Sequence, residues 1–365
     1  MKPNSGKLPD SLIMAMLTHI YIGWGLLYLA KLAIAHLSYN AYWGIFVALA
    51  IILPFQWIIW QLVRSYPGLS VSRIFQKIFG KPLGTGLVLI LFSYIAYFQI
   101  IFFRDSQLMV YTYFFQRTPF MLITGSLIAG ILYVSLRGPA SVGRLALFML
   151  LPPIMVIFGL QLLGFTNVNL LNLQPVFNGP FLDWFMAGTD LIIVLLPGVG
   201  TILFFPFFQH SDTARKIGIA SLAMVIPLFF LNLLGIIGTF GPAVMEKMNW
   251  PVVEYFHLID YPFLLLEQTG LFFLIAWYAS IFVTLSTGVT FVGAEFQTIF
   301  PRIHRKWFTL AYCILLWITV NLPINMLTSE SFFIRTQKWM AFSYLAFLLV
   351  TWIVARFNKD APANS

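Results

Sequence analysis

Apolar residues recur in runs close to 20 long, separated by short polar segments, about ten times along the chain. An α-helix needs about 20 residues to cross a hydrocarbon layer of about 30 Å. The pattern predicts spans over 11–30, 41–63, 86–103, 119–136, 145–164, 187–208, 217–240, 270–293, 308–323 and 339–356. The ninth is the shortest, and the third runs on past Arg104. Trp and Tyr gather near the ends of the runs, as interfacial belts do. The chain therefore reads as an all-α, polytopic membrane protein, one integral membrane domain over 1–365. Residues 1–10 are polar and Leu12 opens a full span, so no cleavable signal is expected ahead of it.

Two connections exceed simple turns. Over 67–83, Arg73, Lys77 and Lys81 recur at helical spacing, with Val71, Ile74, Phe75 and Ile78 on the other face. This predicts an amphipathic helix on the membrane surface. Over 243–266, acidic and aromatic residues with Trp250-Pro251 and Tyr261-Pro262 predict short helical structure on the opposite surface. One follows the second span and the other the seventh. That layout suits two five-helix halves, 1–166 and 180–358, of opposite topology.

Composition agrees with a bilayer setting: 60% of residues are hydrophobic and 9% charged, with a mean hydropathy of +0.89. The formal net charge of +9 does not point to nucleic acid, because the basic residues are scattered among loops and form no stripe. Fifteen of the 21 Lys and Arg fall in segments on the side of the N-terminus and six on the other. By the positive-inside rule both termini are cytoplasmic. The single cysteine, Cys313, lies in an apolar run and excludes an intramolecular disulfide and a cysteine metal site. No Walker loop, HExxH or GxSxG is present. No enzyme, metal or cofactor is expected.

The main local signal is a pair of interruptions in corresponding spans. Span 1 contains Gly23-Trp24-Gly25 and span 6 contains Pro197-Gly198-Val199-Gly200. Glycine costs about 1 kcal/mol in a helix interior and proline about 3. Each lies about 13–14 residues into its span region, roughly 20 Å of path and near mid-membrane. Unwound backbone at that depth survives only where it lines a cavity or is buried in protein, and paired breaks point to a transporter's binding site. Half-helix N-termini suit a carboxylate and exposed carbonyls suit an ammonium, so an α-amino acid fits both. The alternative is that the glycines serve close helix packing and the proline an ordinary kink.

Other polar residues in the spans carry open readings. His19 is a proton-sensitive group beside the break or a helix-packing hydrogen bond. Asp190 is a relay or a solvated interfacial carboxylate. Ser280, Thr284 and Thr287 line a site or bond back to their own helix. Arg104 and Asp105 pair with other loops.

The chain resembles the spore germination permease family, the B subunits of nutrient germinant receptors within the amino acid–polyamine–organocation superfamily. The likeness rests on Ile22 to Leu27, Gly80-Lys81-Pro82-Leu83-Gly84, Arg104, Arg117-Thr118-Pro119, Gly138 with Arg144, Asn172 to Val176, Trp250-Pro251, and Glu267 with Trp277. It implies a ten-span core of the inverted five-plus-five, LeuT/APC-like kind with broken helices 1 and 6. It further implies a germinant pocket of Gly23, Gly25, Tyr94, Phe98, Pro197, Gly198 and Thr284, with Trp24 and Gly200 in the breaks beside them. Tyr94 and Phe98 come from the likeness alone. Relatives often begin span 8 with Glu-Arg where this chain has Glu267-Gln268, and some carry a carboxylate near Gly200. Trp24 either shrinks the pocket or stacks on a ligand. The implied role is a receptor subunit of the spore inner membrane. It would bind a small germinant, an amino acid, beside an A-type membrane subunit and a C-type lipoprotein. An amino acid symporter and a channel-forming scaffold are the alternatives.

Overall fold

A computed structural model describes residues 6–177, 179–209, 213–259, 269–322 and 326–357, with the backbone alone at 197–200 and 326–335. Among these residues the chain is helical and has no strand. The α-helices are α1 (Asp10–Leu37), α2 (Gly44–Ser65), α3 (Val71–Phe79), α4 (Lys81–Tyr113), α5 (Phe120–Arg137), α6 (Pro139–Phe148), α7 (Leu151–Gly164), α8 (Phe181–Leu195), α9 (Thr213–Phe240), α10 (Pro242–Met245), α11 (Pro251–His257), α12 (Thr269–Ile299), α13 (Arg305–Val320) and α14 (Met326–Phe357). A 3₁₀ segment, Leu196–Phe207, continues α8.

The ten expected spans map onto α1, α2, α4, α5, α6 with α7, α8 with its 3₁₀ extension, α9, α12, α13 and α14. Seven helical stretches among the described residues are long and apolar enough to cross a membrane, and one of them, Asp10–Ser65, carries both α1 and α2. The protein is an integral membrane protein. At 16 residues, α13 is too short to join that set. The 15-residue α8 needs its 3₁₀ extension to reach across.

The expected break in span 1 is absent. α1 is one α-helix from Asp10 to Leu37, straight through Gly23 and Gly25. Packing explains the glycines instead. A Cβ on Gly23 would stand 2.8 Å from the Thr284 hydroxyl oxygen and 3.1 Å from the Ser280 carbonyl oxygen of α12. A Cβ on Gly25 would stand 2.1 Å from the Phe229 ring of α9. The small residues let two helices approach α1 closely, as glycine does in membrane bundles.

Span 6 does change. The α-helical pattern ends at Leu195 and a tighter 3₁₀ path runs to Phe207. A further interruption falls in span 5, where α6 and α7 are separated by a turn at Met149 and Leu150. Pro152 and Pro153 follow at once. Having no N–H, they fit the first turn of a new helix, where that donor is not needed, better than the middle of an old one.

α1 and the α8 strand of helix run antiparallel, side by side. At one end Leu8 N–H donates to the Phe207 carbonyl at 2.7 Å. Midway, the Trp24 indole donates to the Ile193 carbonyl at 2.9 Å. At the far end His36 stands 3.4 Å from the Asp190 carboxylate. The two spans expected to meet therefore do meet, with opposite directions.

α3 forms as its spacing predicts. Ser70 caps its N-terminus by accepting from Arg73 N–H at 3.3 Å, and Gly80 ends it with φ +82°. Its apolar face does not rest on lipid: Val71, Ile74, Phe75 and Ile78 are buried by protein. Phe75 meets Phe347 of α14 edge-on at 5.1 Å, and a Cβ on Gly84 of α4 would stand 2.5 Å from the Phe75 backbone, so glycine lets the two helices approach there.

A buried carboxylate holds this helix start. Glu295 of α12 accepts from Val71 N–H at 3.2 Å, Ser72 N–H at 3.3 Å and the Ser72 hydroxyl at 2.7 Å. The first N–H groups of a helix have no partner within it, and a carboxylate there satisfies them and suits the helix dipole. Glu295→Ala strands three donors and is expected to cost about 2 kcal/mol. Thermal unfolding of the purified protein in detergent micelles measures it; an unchanged melting temperature would show that the clasp contributes nothing.

On the opposite face, α10 and α11 supply the short helices expected over 243–266. Tyr261-Pro262, Glu267 and Gln268 lie outside the described residues.

Candidate functional site

Where α8 tightens into the 3₁₀ segment, a cavity of about 100 Å³ opens against α4 and α12. Leu196, Ile202, Leu203 and Phe204 form the 3₁₀ wall, Tyr94, Ile95, Phe98 and Gln99 the α4 wall, and Thr284, Thr287, Gly288 and Phe291 the α12 wall, with Ile20, Leu91 and Tyr344 completing it. Among the described residues no charged side chain lines it.

Its polar edge has defined chemistry. The Thr284 hydroxyl donates to the His19 carbonyl at 3.0 Å or the Ser280 carbonyl at 2.7 Å, and the Thr287 hydroxyl donates to the Val283 carbonyl at 2.7 Å. Their donors are thus spent on backbone, which leaves both oxygens as acceptors. Gln99 is held from two sides: its amide donates to the Leu285 carbonyl at 3.2 Å and its oxygen accepts from the Tyr312 hydroxyl at 2.6 Å. Gly288 makes room for that amide, since a Cβ there would lie 2.0 Å from Gln99 Nε2.

Aromatic layers flank the cavity at both ends. Toward the N-terminal face, Phe291 meets Phe204 at 4.5 Å and Phe207 at 5.0 Å. Toward the other face, Trp24 stacks obliquely on Phe98 at 3.9 Å and on Tyr28 at 4.3 Å. Beyond it the Tyr28 hydroxyl donates to Asp105 at 2.5 Å, and Asp190 pairs with Lys338 at 2.5 Å. Asp190 is 4% exposed, so the solvated interfacial carboxylate is replaced by a buried, paired one.

The candidate residues separate into two groups. Tyr94, Phe98 and Thr284 line the cavity. Gly23, Trp24 and Gly25 do not. The Gly23 carbonyl accepts from the Trp277 indole at 3.0 Å, and Gly25 seats Phe229. Pro197, Gly198 and Gly200 lie on the 3₁₀ backbone between Leu196 and Ile202.

Trp24 has a role the sequence reading did not assign. Proline has no N–H, so Pro197 cannot bond the carbonyl four residues back, which is that of Ile193. The indole N–H of Trp24 fills that vacancy at 2.9 Å. Trp24 is not among the lining residues; it completes the hydrogen bonding of the opposite break. His19 is likewise structural. Its Nε2–H donates to the Ala146 carbonyl at 3.0 Å and its Nδ1 takes the Ser280 hydroxyl at 2.9 Å, a tautomer set by the carbonyl partner. Both ring nitrogens are committed to joining α1, α6 and α12.

Gln99, Gly288, Phe204, Phe291 and Tyr344 were not singled out from the sequence. Gln99 carried a usable signal, an amide inside an apolar span. The aromatics carried none, being three among many in this chain. Among the described residues no group of three or more His, Cys, Asp or Glu could hold a metal ion.

Fold and site together define a membrane protein of the LeuT/APC-like class. The solved structure of MhsT in complex with L-phenylalanine matches with a TM-score of 0.68 over 97% of this chain and 90% of that one, at 13% identity. The spore germination protein family model, a permease-like family, matches residues 7–330, and the chain belongs to that family. Two Bacillus subtilis (strain 168) relatives agree. Putative spore germination protein YfkT is 22% identical over 292 residues, 77% of each chain. Spore germination protein A2 is 24% identical over 230 residues, 61% of each.

Proposed function

We propose that this chain is the solute-binding subunit of a nutrient germinant receptor in the spore inner membrane, with both termini cytoplasmic and an amino acid as its ligand. The observation that carries the reading is the cavity at the α-to-3₁₀ change in α8. In this reading residues 1–166 and 180–358 are the two inverted halves, and the cavity lies where they face each other. The ligand's ammonium meets the Thr284 and Thr287 oxygens and backbone carbonyls at the α-to-3₁₀ change, where Pro197 withholds a donor, and its carboxylate meets backbone N–H groups of the same turn. The apolar walls take its side chain. Tyr94, Phe98, Pro197, Gly198, Gly200 and Thr284 stay in the proposed site, and Gly23, Trp24 and Gly25 stand behind it as its frame. Occupancy favours one arrangement of the bundle to the extent that it binds that arrangement more tightly, and an A-type membrane subunit and a C-type lipoprotein receive the change.

Binding of labelled L-amino acids to the protein in nanodiscs tests this. Saturable binding of at least one is expected, weakened tenfold or more by Gly288→Leu, a loss of about 1.4 kcal/mol. Leucine there displaces Gln99 and fills the cavity. Equal binding by the variant would remove this cavity from consideration.

The fold shared with MhsT supports a second reading, an amino acid symporter. Concentrative uptake into proteoliposomes by this chain alone would favour it; binding without turnover favours the receptor.

A further inference from the structure

A second hollow, of about 600 Å³, lies between α4 and α14. It runs from Leu87 and Phe347 at one end to Tyr97 and Thr336 at the other. Two of its lining residues, Ile90 and Trp339, are 68% and 72% exposed, so it opens sideways from the bundle. The lining comes from residues 87–97 of α4 and 336–347 of α14, both within helices apolar enough to span a membrane. Leu91, Tyr94 and Tyr344 belong both to this groove and to the internal cavity. The two tyrosine rings stack at 6.1 Å and 18° and form the wall between them.

We propose that the groove is a binding site for one acyl chain of a bilayer lipid, and that this chain supports the Tyr94–Tyr344 wall from outside. Size selects the occupant. From position 87 to 97 the groove follows α4 for roughly 15 Å. About 600 Å³ over that length leaves a cross-section of about 40 Å², about half of what a helix 10 Å across needs. A partner's transmembrane helix lies across the mouth of such a groove without entering it, whereas an extended hydrocarbon chain enters. Chemistry agrees. The Leu87–Phe347 end is apolar, and the Ser93 hydroxyl in the middle is already bonded to its own helix at the Leu89 carbonyl, 3.0 Å away.

Because the wall is common, filling the groove and filling the cavity are coupled. The site itself stands whether or not the cavity takes an amino acid.

Photo-crosslinking decides the matter. p-Benzoylphenylalanine is introduced at Ser343 in the groove, and at Leu315 on the exposed side of α13 as a reference for ordinary lipid contact. In nanodiscs of phosphatidylglycerol and phosphatidylethanolamine in equal parts, the groove position is expected to give lipid adducts in several-fold higher yield than the reference. Equal or lower yield overturns the proposal. So does a protein adduct as the main product at Ser343 in native membranes, which would assign the groove to a partner's helix. Ser343→Trp, which fills the groove, is expected to lower the lipid retained through native mass spectrometry several-fold while the protein still elutes as one species. Should that variant fail to fold, the crosslinking yield alone decides.

Discussion

Replacing Trp24 by alanine is expected to destabilise the protein by about 3–5 kcal/mol from lost packing alone, and Trp24→Phe by about 1–3 kcal/mol. The two variants separate two effects. Trp24 is fully buried, against Tyr28, Phe98 and Phe102. Phenylalanine keeps an aromatic ring among them and removes the N–H. The Ile193 carbonyl then has neither the indole nor, because residue 197 is proline, the helix partner that would otherwise serve it. An orphaned carbonyl in a bundle core has no water to turn to. The check is internal to the protein: Pro197→Ala restores a backbone donor at that position, and Trp24→Phe should cost less in its presence. Thermal unfolding of the four proteins in one detergent gives the cycle. If Trp24→Phe is as stable as the parent, the indole bond carries no weight and the account of the paired interruptions is wrong.

The second large effect concerns the ion pair that lies beyond the aromatic layer on the far side of the cavity. Asp190→Ala is expected to cost about 1–3 kcal/mol. Removing one partner of a fully buried pair costs about 3–5 kcal/mol, but the Lys338 side chain is 33% exposed, so water screens part of the loss. The carboxylate of α8 faces Lys338 of α14 and His36 of α1, and it ties three spans above the aromatic layer. Loosening it should favour opening toward that face, so a cysteine introduced at Phe98 should react faster with a water-soluble maleimide in the Asp190→Ala background. The charge-swapped pair, Asp190→Lys with Lys338→Asp, should return both stability and labelling toward the parent values. Labelling unaffected by Asp190→Ala would show that the pair does not guard this route.

What could be read from the sequence followed from what lipid forbids. Runs near 20 residues must be helices because unpaired backbone is intolerable in hydrocarbon, so ten helical spans follow from length alone. The short helices after spans 2 and 7 follow from amphipathic spacing and from Trp250-Pro251. The pairing of spans 1 and 6 was legible as well, through two interruptions at equal depth. Which interruption unwinds was not legible. Glycine permits a break and also permits close contact, and only the neighbours, Thr284 and Phe229, decide between them. Proline alone does not decide either, since α2 and α9 continue through Pro54 and Pro227; the 3₁₀ path appears where Pro197 is joined by Gly198 and Gly200. The cavity wall was half legible. Thr284 came from a hydroxyl-rich helix face and Tyr94 and Phe98 from family likeness. Gln99 over Gly288 depends on two helices crossing at one point, and no pattern within either helix announces it.

The longest helix of the set has a mechanical meaning. α4 is unbroken for 33 residues, about 50 Å. One end is set against the Glu295-held α3, the middle presents Tyr94, Phe98 and Gln99 to the cavity, and Asp105 further along holds Tyr28. Such a rod does not absorb a displacement by bending at a loop. A rotation of about 5° about its middle moves each end by roughly 2 Å in opposite directions. A solute that shifts the central wall is therefore felt at both surfaces of the bilayer at once.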